Sequence, residues 1–334
     1  MSNLEQIAKL SGFSKATVSR VLNKSRHVSP DTRAKILQVI QEMDYVPNRN
    51  AISLSKGKTL QIGMITTVMT EIILPFMTSF VEVAAEHGFQ TIIYTSDSDQ
   101  ERELQAFEDL KQKRVDGLLI ITCVNELSVV SSYGKYGPIV SWQRMDRPDI
   151  PSVAMDQYDG YALAIEHLLS QGITRIANAF GRPSSLNTRR RIQAYEDSMN
   201  KHQLEIRKDW YFDAVYHLEH GQDVVRRLLG IPSDLHSEDG LPGKNLPQAI
   251  VCANDYVAAG VLSEARRHGW NVPGELRIVS FDNMQIAQTL GITSVQNPIR
   301  DQAYNAFALL SPSLLNRQLP LKPLDFSLAV RETT

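Results

Sequence analysis

Apolar positions in the first sixty residues recur at helical spacing and break off twice. Leu4, Ile7 and Ala8 stand at i, i+3 and i+4, one face of a helix. Gly12 interrupts the pattern, Ser14 can cap a second helix through its hydroxyl, and Val18, Val21 and Leu22 resume the spacing. Ser29 as cap and Pro30 in the first helical position predict a third helix, whose apolar stripe is Ile36, Leu37, Ile40 and Met43. Two short helices joined by a glycine turn make a helix-turn-helix, with Phe13, Val18 and Val21 filling the wedge and small Ala8 allowing close approach. From Leu60 onward the grain changes. Short β-rich runs (LQIGMIT, FQTIIYT, GLLIIT, PIVSW, SVAMD, RIANAF, QAIVCA, LRIVSFD, ITSVQ) alternate with helical stretches such as PFMTSFVEVAAEH and TRRRIQAYEDSMNKH. Such alternation predicts parallel sheets with right-handed crossovers, and the strands are too many for one sheet of modest size. The expected fold is an all-α helix-turn-helix headpiece followed by an α/β body of two parallel-sheet lobes.

Charge sharpens this division. The 334-residue chain has a formal charge of −2, but residues 1–60 hold ten Lys or Arg against four Asp or Glu, and the rest holds 25 against 33. A positive head on a negative body points to a polyanion that meets the head alone. With the apolar face of the second helix turned inward, Lys15, Ala16 and Arg20 point outward, with Thr17, Ser19 and Asn23 around them. In a helix-turn-helix the N-terminal residues of this helix lie over base edges in the major groove of DNA. Arg20 has the planar fork to grip a guanine, Lys15 could reach a guanine or a phosphate, and Ala16 could touch a thymine methyl. The hydroxyls and Asn23 suit phosphate oxygens, which set register. One head reads one half-site, so a homodimer on a pseudo-palindrome is the expected unit.

The body offers little reactive chemistry. It contains no GxGxxG, GxxxxGK[ST], GxSxG or HExxH. His217 and His220 read as isolated surface histidines, Asp97 and Asp99 as a helix cap with its neighbouring acid, and Cys123 and Cys252 as buried inert thiols. No catalytic residue, metal or cofactor is expected. The chain has no apolar run of the roughly 18 residues a membrane helix needs, and MSNLEQIAKL lacks the marks of a signal peptide, so no membrane partner and a cytoplasmic location are expected.

The runs ATVSRVLN, HVSPDTRAKI and YVPNRNAISL, and in the body PFM, KQKRVDGLLI, ANDYVAAG, VPGELRIVSFDN and AVRETT, resemble the LacI/GalR (lactose-repressor/galactose-repressor) family of transcriptional regulators. The resemblance implies a headpiece at 1–46, a hinge at 47–58, and an effector-binding and dimerisation body at 59–334. The body would be similar to periplasmic sugar-binding proteins, with one lobe at about 59–155 and 284–312 and the other at about 156–283 and 313–334. It adds Ser14, His27, Ser29, Asn48, Arg49 and Ala51 to the DNA contacts and places Leu54 as a minor-groove wedge on a hinge that folds on the operator. Position by position it implies Arg191, Asn254 and Asp282 as polar contacts to a sugar or sugar-phosphate effector, with Phe76 and Trp142 as apolar faces. The function implied is an effector-controlled repressor of carbohydrate-utilisation genes. A corepressor mode and a nucleobase or nucleoside effector stay open beside it, as do a solute-binding protein and an α/β enzyme as remoter readings. A phosphoprotein corepressor has no support in the residues. Gln143 stands where the family often has aspartate, IIL precedes Pro75 where small polar residues are usual, and GRPSS and the long loop at 230–247 are unusual. These departures fall around the presumed cleft.

Overall fold

The computed structural model describes residues 3–22, 25–46, 57–145, 147–231 and 246–334. The chain divides into two compact units, Met1–Leu60 and Gln61–Thr334. Among the described residues the first holds three helices, α1 (Asn3–Ser11), α2 (Lys15–Leu22) and α3 (Pro30–Glu42). Their core is Ile7, Val18, Val21 and Ile36, with Leu4, Ala8, Phe13, Val39, Ile40 and Met43 packed around it. Gly12 makes the turn at φ +72°, a left-handed conformation that a side chain would disfavour. The Ser14 hydroxyl accepts from the Thr17 N–H at 3.2 Å and the Ser29 hydroxyl from the Thr32 N–H at 3.3 Å, so both expected caps are made. The stripe on α3 differs from expectation at one position. Leu37 is 47% exposed, and Val39 takes its place, because i, i+3, i+4 and i+7 from Ile36 select 39, 40 and 43. The hinge residues 47–56 lie outside the described residues.

Among the described residues the body contains two sheets. The first has strand order β2-β1-β3-β4, from β1 (Gln61–Thr66), β2 (Gln90–Thr95), β3 (Gly117–Ile120) and β4 (Ile139–Ser141), all parallel. It is flanked by α4 (Leu74–Glu86), α5 (Gln100–Lys111) and α6 (Leu127–Ser132). The second has the order β10-β9-β8-β7-β5-β6, from β5 (Ile176–Ala179), β6 (Tyr211–Phe212), β7 (Ala249–Cys252), β8 (Arg277–Asp282), β9 (Thr293–Gln296) and β10 (Ser327–Ala329). It is parallel except that β10 runs antiparallel to β9. Its helices are α7 (Gln157–Ser170), α8 (Leu186–Lys201), α9 (Leu218–Leu229), α10 (Asp255–Arg267) and α11 (Gln285–Thr289). The last long helix, α12 (Ile299–Leu315), returns to the first lobe, where Ala303, Ala306, Phe307 and Leu310 join the core of Ile62, Met64, Phe76 and Phe80.

Two expectations are corrected here, and one helix comes in addition to those read. SVAMD is not a strand. Only Ser152 bridges, to Ser141, because the stretch is already crossing between lobes. Residues 284–296 belong to the second lobe, where Ala287 packs into its core and β9 pairs with β8, so the crossing back falls at Asn297 and Pro298 and not at 284. A helix not read from the periodicity, α9, crosses α10 at a glycine pair. A Cβ on Gly221 would stand 2.1 Å from the Val257 carbonyl oxygen, and one on Gly260 would stand 2.0 Å from that of Leu218.

Candidate functional site

On the headpiece, α2 buries Val18 and Val21 and turns Lys15, Ala16 and Arg20 to solvent, with Thr17 and Ser19 partly exposed beside them. Ser14, His27 and Ser29 are exposed on the same unit. The hydroxyls of Ser14 and Ser29 are engaged as caps, so they hold helix starts in place in addition to any contact of their own. Lys15 reaches Glu5 on α1 at 3.1 Å, an exposed pair that costs little to exchange for another anion. Asn23, Asn48, Arg49, Ala51 and Leu54 lie outside the described residues.

In the body, a cavity of about 450 Å³ lies beyond the carboxyl ends of the strands, where the ligands of doubly wound sheets sit. Thr67 and Thr122 line it from the first lobe, and Gly181, Ala253 and Asp282 from the second. Residues of all three crossings line it too: Ala154 and Met155 of the first, Asn297 of the second, Phe326 of the third. A ligand there touches the connections about which the lobes would turn.

Arg191 lines this cavity from α8 and is 8% exposed. Its Nε donates to Gln157 Oε1 at 2.7 Å and its Nη1 to the Ala253 carbonyl at 2.7 Å, and the guanidinium lies 4.0 Å over the ring of Phe281. Burial lowers its pKa, and the charge of Asp282 opposes that shift. The guanidinium stays charged. Asp282 ends β8 at φ +96°, a strained conformation for a residue with a side chain, worth ~1–3 kcal/mol. Its carboxyl is raised by burial, against the pull of Arg191 and a hydrogen bond from Asn297. Asn254 also lines the cavity, but its polar atoms are engaged. Oδ1 caps α10 by accepting from Val257 N–H at 3.0 Å, and Nδ2 donates to the Tyr216 carbonyl at 3.0 Å.

Trp142 lines the cavity, whereas Phe76 does not. Phe76 is fully buried and stacks behind the indole, centroids 4.4 Å apart. The expectation of Phe76 as an apolar face is therefore corrected: it sits on α4 facing the lobe core and backs the face that Trp142 presents. The indole starts a chain of bonds that the sequence did not reveal. Trp142 Nε1 donates to Gln302 Oε1 at 2.9 Å, Gln302 Nε2 to Asn297 Oδ1 at 3.1 Å, and Asn297 Nδ2 to Asp282 Oδ1 at 3.2 Å. An indole can only donate and a carboxylate only accept, so the two ends orient both amides between them. This relay runs from the first lobe, through a crossing, to the second.

His217 is likewise no isolated surface histidine. It precedes α9 as its cap, lines the cavity, and sets Nδ1 3.2 Å from Oε1 of Glu71 on the opposite lobe. A backbone hydrogen bond is the first cause that lowers the Glu71 carboxyl, and His217 adds to it. The sequence placed HLEH next to no partner because Glu71 stands 146 positions away. Cys252 is buried as expected, and Cys123 donates to Glu103 at 3.0 Å, its pKa pushed up to about 12 by burial and that carboxylate. Among the described residues, no helix is long and apolar enough to cross a membrane, and no group of three His, Cys, Asp or Glu could hold a metal ion.

Comparison with known proteins agrees with this architecture. Residues 3–48 match the family model described as bacterial regulatory proteins, lacI family, and residues 66–314 the one described as periplasmic binding proteins and sugar binding domain of LacI family. The uncharacterised helix-turn-helix-type transcriptional regulator YkvZ of Bacillus subtilis is 30% identical over the whole of both chains. The NTD biosynthesis operon regulator NtdR of the same organism is 31% identical, again over the whole of both. Among solved structures, the lac repressor dimer bound to operator and the anti-inducer ONPF shares the fold with a TM-score of 0.80 at 24% identity, covering 98% of this chain and 97% of that one. A helix-turn-helix with a bared basic face, joined in sequence to a bilobed body with an interlobe cavity, is thus matched along its length: the chain belongs to the LacI family of bacterial regulatory proteins and is a DNA-binding transcriptional regulator.

Proposed function

We propose that the protein represses transcription as a homodimer that reads a pseudo-palindromic operator through α2 and is controlled by a small hydroxylated effector, of the sugar class, in the interlobe cavity. Its place of action on this reading is the cytoplasm. The carrying observation is the bared outer face of α2, with Lys15, Ala16 and Arg20 exposed while Val18 and Val21 are buried and Leu22 packs beside them in the core. Arg20 reads a guanine, Lys15 and the polar residues Thr17, Ser19, Asn23 and His27 take phosphates, and Asn48, Arg49, Ala51 and Leu54 are assigned to the hinge contact on resemblance alone. Effector reading is assigned to Arg191, Asn254, Asp282 and Trp142. Relatives support a sugar. One, 31% identical, is named a ribose operon repressor in Halalkalibacterium halodurans, and one solved neighbour is a CelR–cellobiose complex. Self-association is supported by apolar side chains bared on the first lobe, Leu74 and Val81 on α4 and Ile93 on β2.

The test is fluorescence anisotropy on a pseudo-palindromic operator and on a scrambled duplex. Arg20→Ala is expected to lose ~1–3 kcal/mol of discrimination between the two with an unchanged melting temperature, since Arg20 packs no core. Equal binding of both duplexes by the unsubstituted protein would sink the reading.

A further inference from the structure

Two groups of polar side chains around the cavity contrast. On the hinge side Trp142, Gln302, Asn297 and Asp282 are bonded to one another. At the start of α8 the opposite holds. Arg182, Ser185, Asn187 and Thr188 all line the cavity, and among the described residues none of these side chains has a hydrogen-bond or ion-pair partner. Thr188 is the most telling. The residue is only 4% exposed, yet it lines the cavity, and among the described residues its hydroxyl has no bonding partner. That hydroxyl faces the backbone of Gly181, lying 3.8 Å from where a Cβ there would stand.

The local backbone adds donors. α8 is sixteen residues long, its cap Ser185 makes no capping bond through its side chain, and its first turn contains no acid. The first N–H groups of such a helix lack intrahelical acceptors and carry the positive end of its dipole. The neighbouring helices α7 and α10 lack this feature, since Asp156 caps one and Asn254 the other. A guanidinium fork, two hydroxyls, an amide and uncapped N–H groups converge on one corner, which is the donor set that binds an anion. Among the described residues the single acid that lines the cavity, Asp282, is held on the hinge side by Asn297.

We propose that the corner formed by Arg182 and the start of α8 is an anion subsite, so that the effector carries a phosphoryl or carboxylate group there and hydroxyls toward Asp282. The inference rests on the cavity being the effector site. The notable GRPSS run receives a role by it: Arg182 supplies the charge and Ser185 the cap left open for the ligand.

Isothermal titration of the full chain with inorganic phosphate and with acetate, at constant ionic strength, tests it, alongside operator release measured with glucose 6-phosphate and glucose. The unsubstituted protein is expected to bind at least one of the two anions saturably. Preference for phosphate or acetate identifies the head group as phosphoryl or carboxylate. Arg182→Gln, at an exposed position, should weaken that binding about tenfold or more, and Thr188→Val should weaken it less, both with unchanged melting temperatures. Absence of saturable anion binding, or binding that neither substitution alters, overturns the subsite. If glucose releases operator while no anion binds at Arg182, the effector reading stands and the subsite falls. If anion binding maps to Arg182 and no compound that occupies the cavity alters operator affinity, the subsite stands and the effector reading falls.

Discussion

Asp255 is the residue on which the second lobe is most exposed to pH. It is buried at the start of α10, accepting from Ser294 Oγ at 2.7 Å and from the Met284 N–H at 2.5 Å. Burial first, and the charge of Asp282 second, push its pKa up from 3.8 to about 7. A carboxyl whose folded pKa is raised favours the fold while protonated. Its contribution is complete below the unfolded value near 4 and is lost as pH climbs through 7. The body should therefore melt at a lower temperature at pH 8 than at pH 5, with a slope of at most ~1.4 kcal/mol per pH unit from this group. Asp255→Asn should flatten that part of the profile, because Oδ1 can still accept from Met284 and the Ser294 hydroxyl can rotate. A profile as steep as before would assign the slope elsewhere. Gln302 makes a second residue-scale case. Gln302→Leu removes the partner of the half-buried Trp142 indole N–H and of the Asn297 oxygen, a loss of ~0.5–1.5 kcal/mol per bond. Gln302→Glu keeps the bond from the indole and loses only the donor toward Asn297. Thermal melts and Trp emission of the two variants should differ accordingly, with Glu retaining more stability than Leu. Neither role was legible beforehand. Asp255 reads as one more polar residue after a cap, and Gln302 as one polar position in a helix, because their partners lie 39 and 160 positions away.

At the scale of elements, close approach and capping decide. The pair α9 and α10 cross with Gly221 and Gly260 against each other's backbone, and Arg226 on one binds the buried Glu264 on the other at 2.8 Å. Neither backbone atom can move aside as a side chain would. Gly221→Ala should therefore force the helices apart and cost ~2 kcal/mol or more, read as a lower melting temperature of the body with the headpiece transition unchanged. Ser29→Ala, by contrast, removes one cap and should cost the headpiece about 1 kcal/mol. The caps at Ser14, Ser29 and Asp99 were legible because they are local, a side chain reaching two or three residues ahead. Helix α9 was not, since its glycine and histidines make sense only against α10 and Glu71. SVAMD misled for the same reason. Its β-rich composition suits a strand, but no neighbouring edge is there to pair with it beyond Ser152.

At the scale of the whole molecule the cavity is lined by every crossing between the lobes, by the relay from Trp142 to Asp282, and by His217 against Glu71. A ligand that bonds these groups changes the free energy of one lobe angle relative to another, which is the condition for control at a distance. Linkage then requires that operator weaken or strengthen effector binding by the same factor as effector does operator, typically ~1–3 kcal/mol of coupling. Titrating effector with and without operator measures both sides, and unequal factors would mean that a third equilibrium, such as dimer dissociation, intervenes. Removing the interlobe contact by His217→Ala should alter this coupling.

Order along the chain was enough for the two-part architecture, the short helices of the headpiece and their caps, and the alternation of strands and helices, because each of these rests on periodicity or on neighbours within one turn. The family motifs were enough to place Arg191, Asn254 and Asp282 around one cavity. What packing alone settled is which polar atoms are already engaged. Asn254 is tied up in capping, Phe76 stands behind the indole, residues 284–296 side with the second sheet, and the polar side chains at the Arg182 corner have no partner among the described residues. Hydrogen-bond partners and burial are properties of pairs distant in sequence, and they exist only once the lobes have folded.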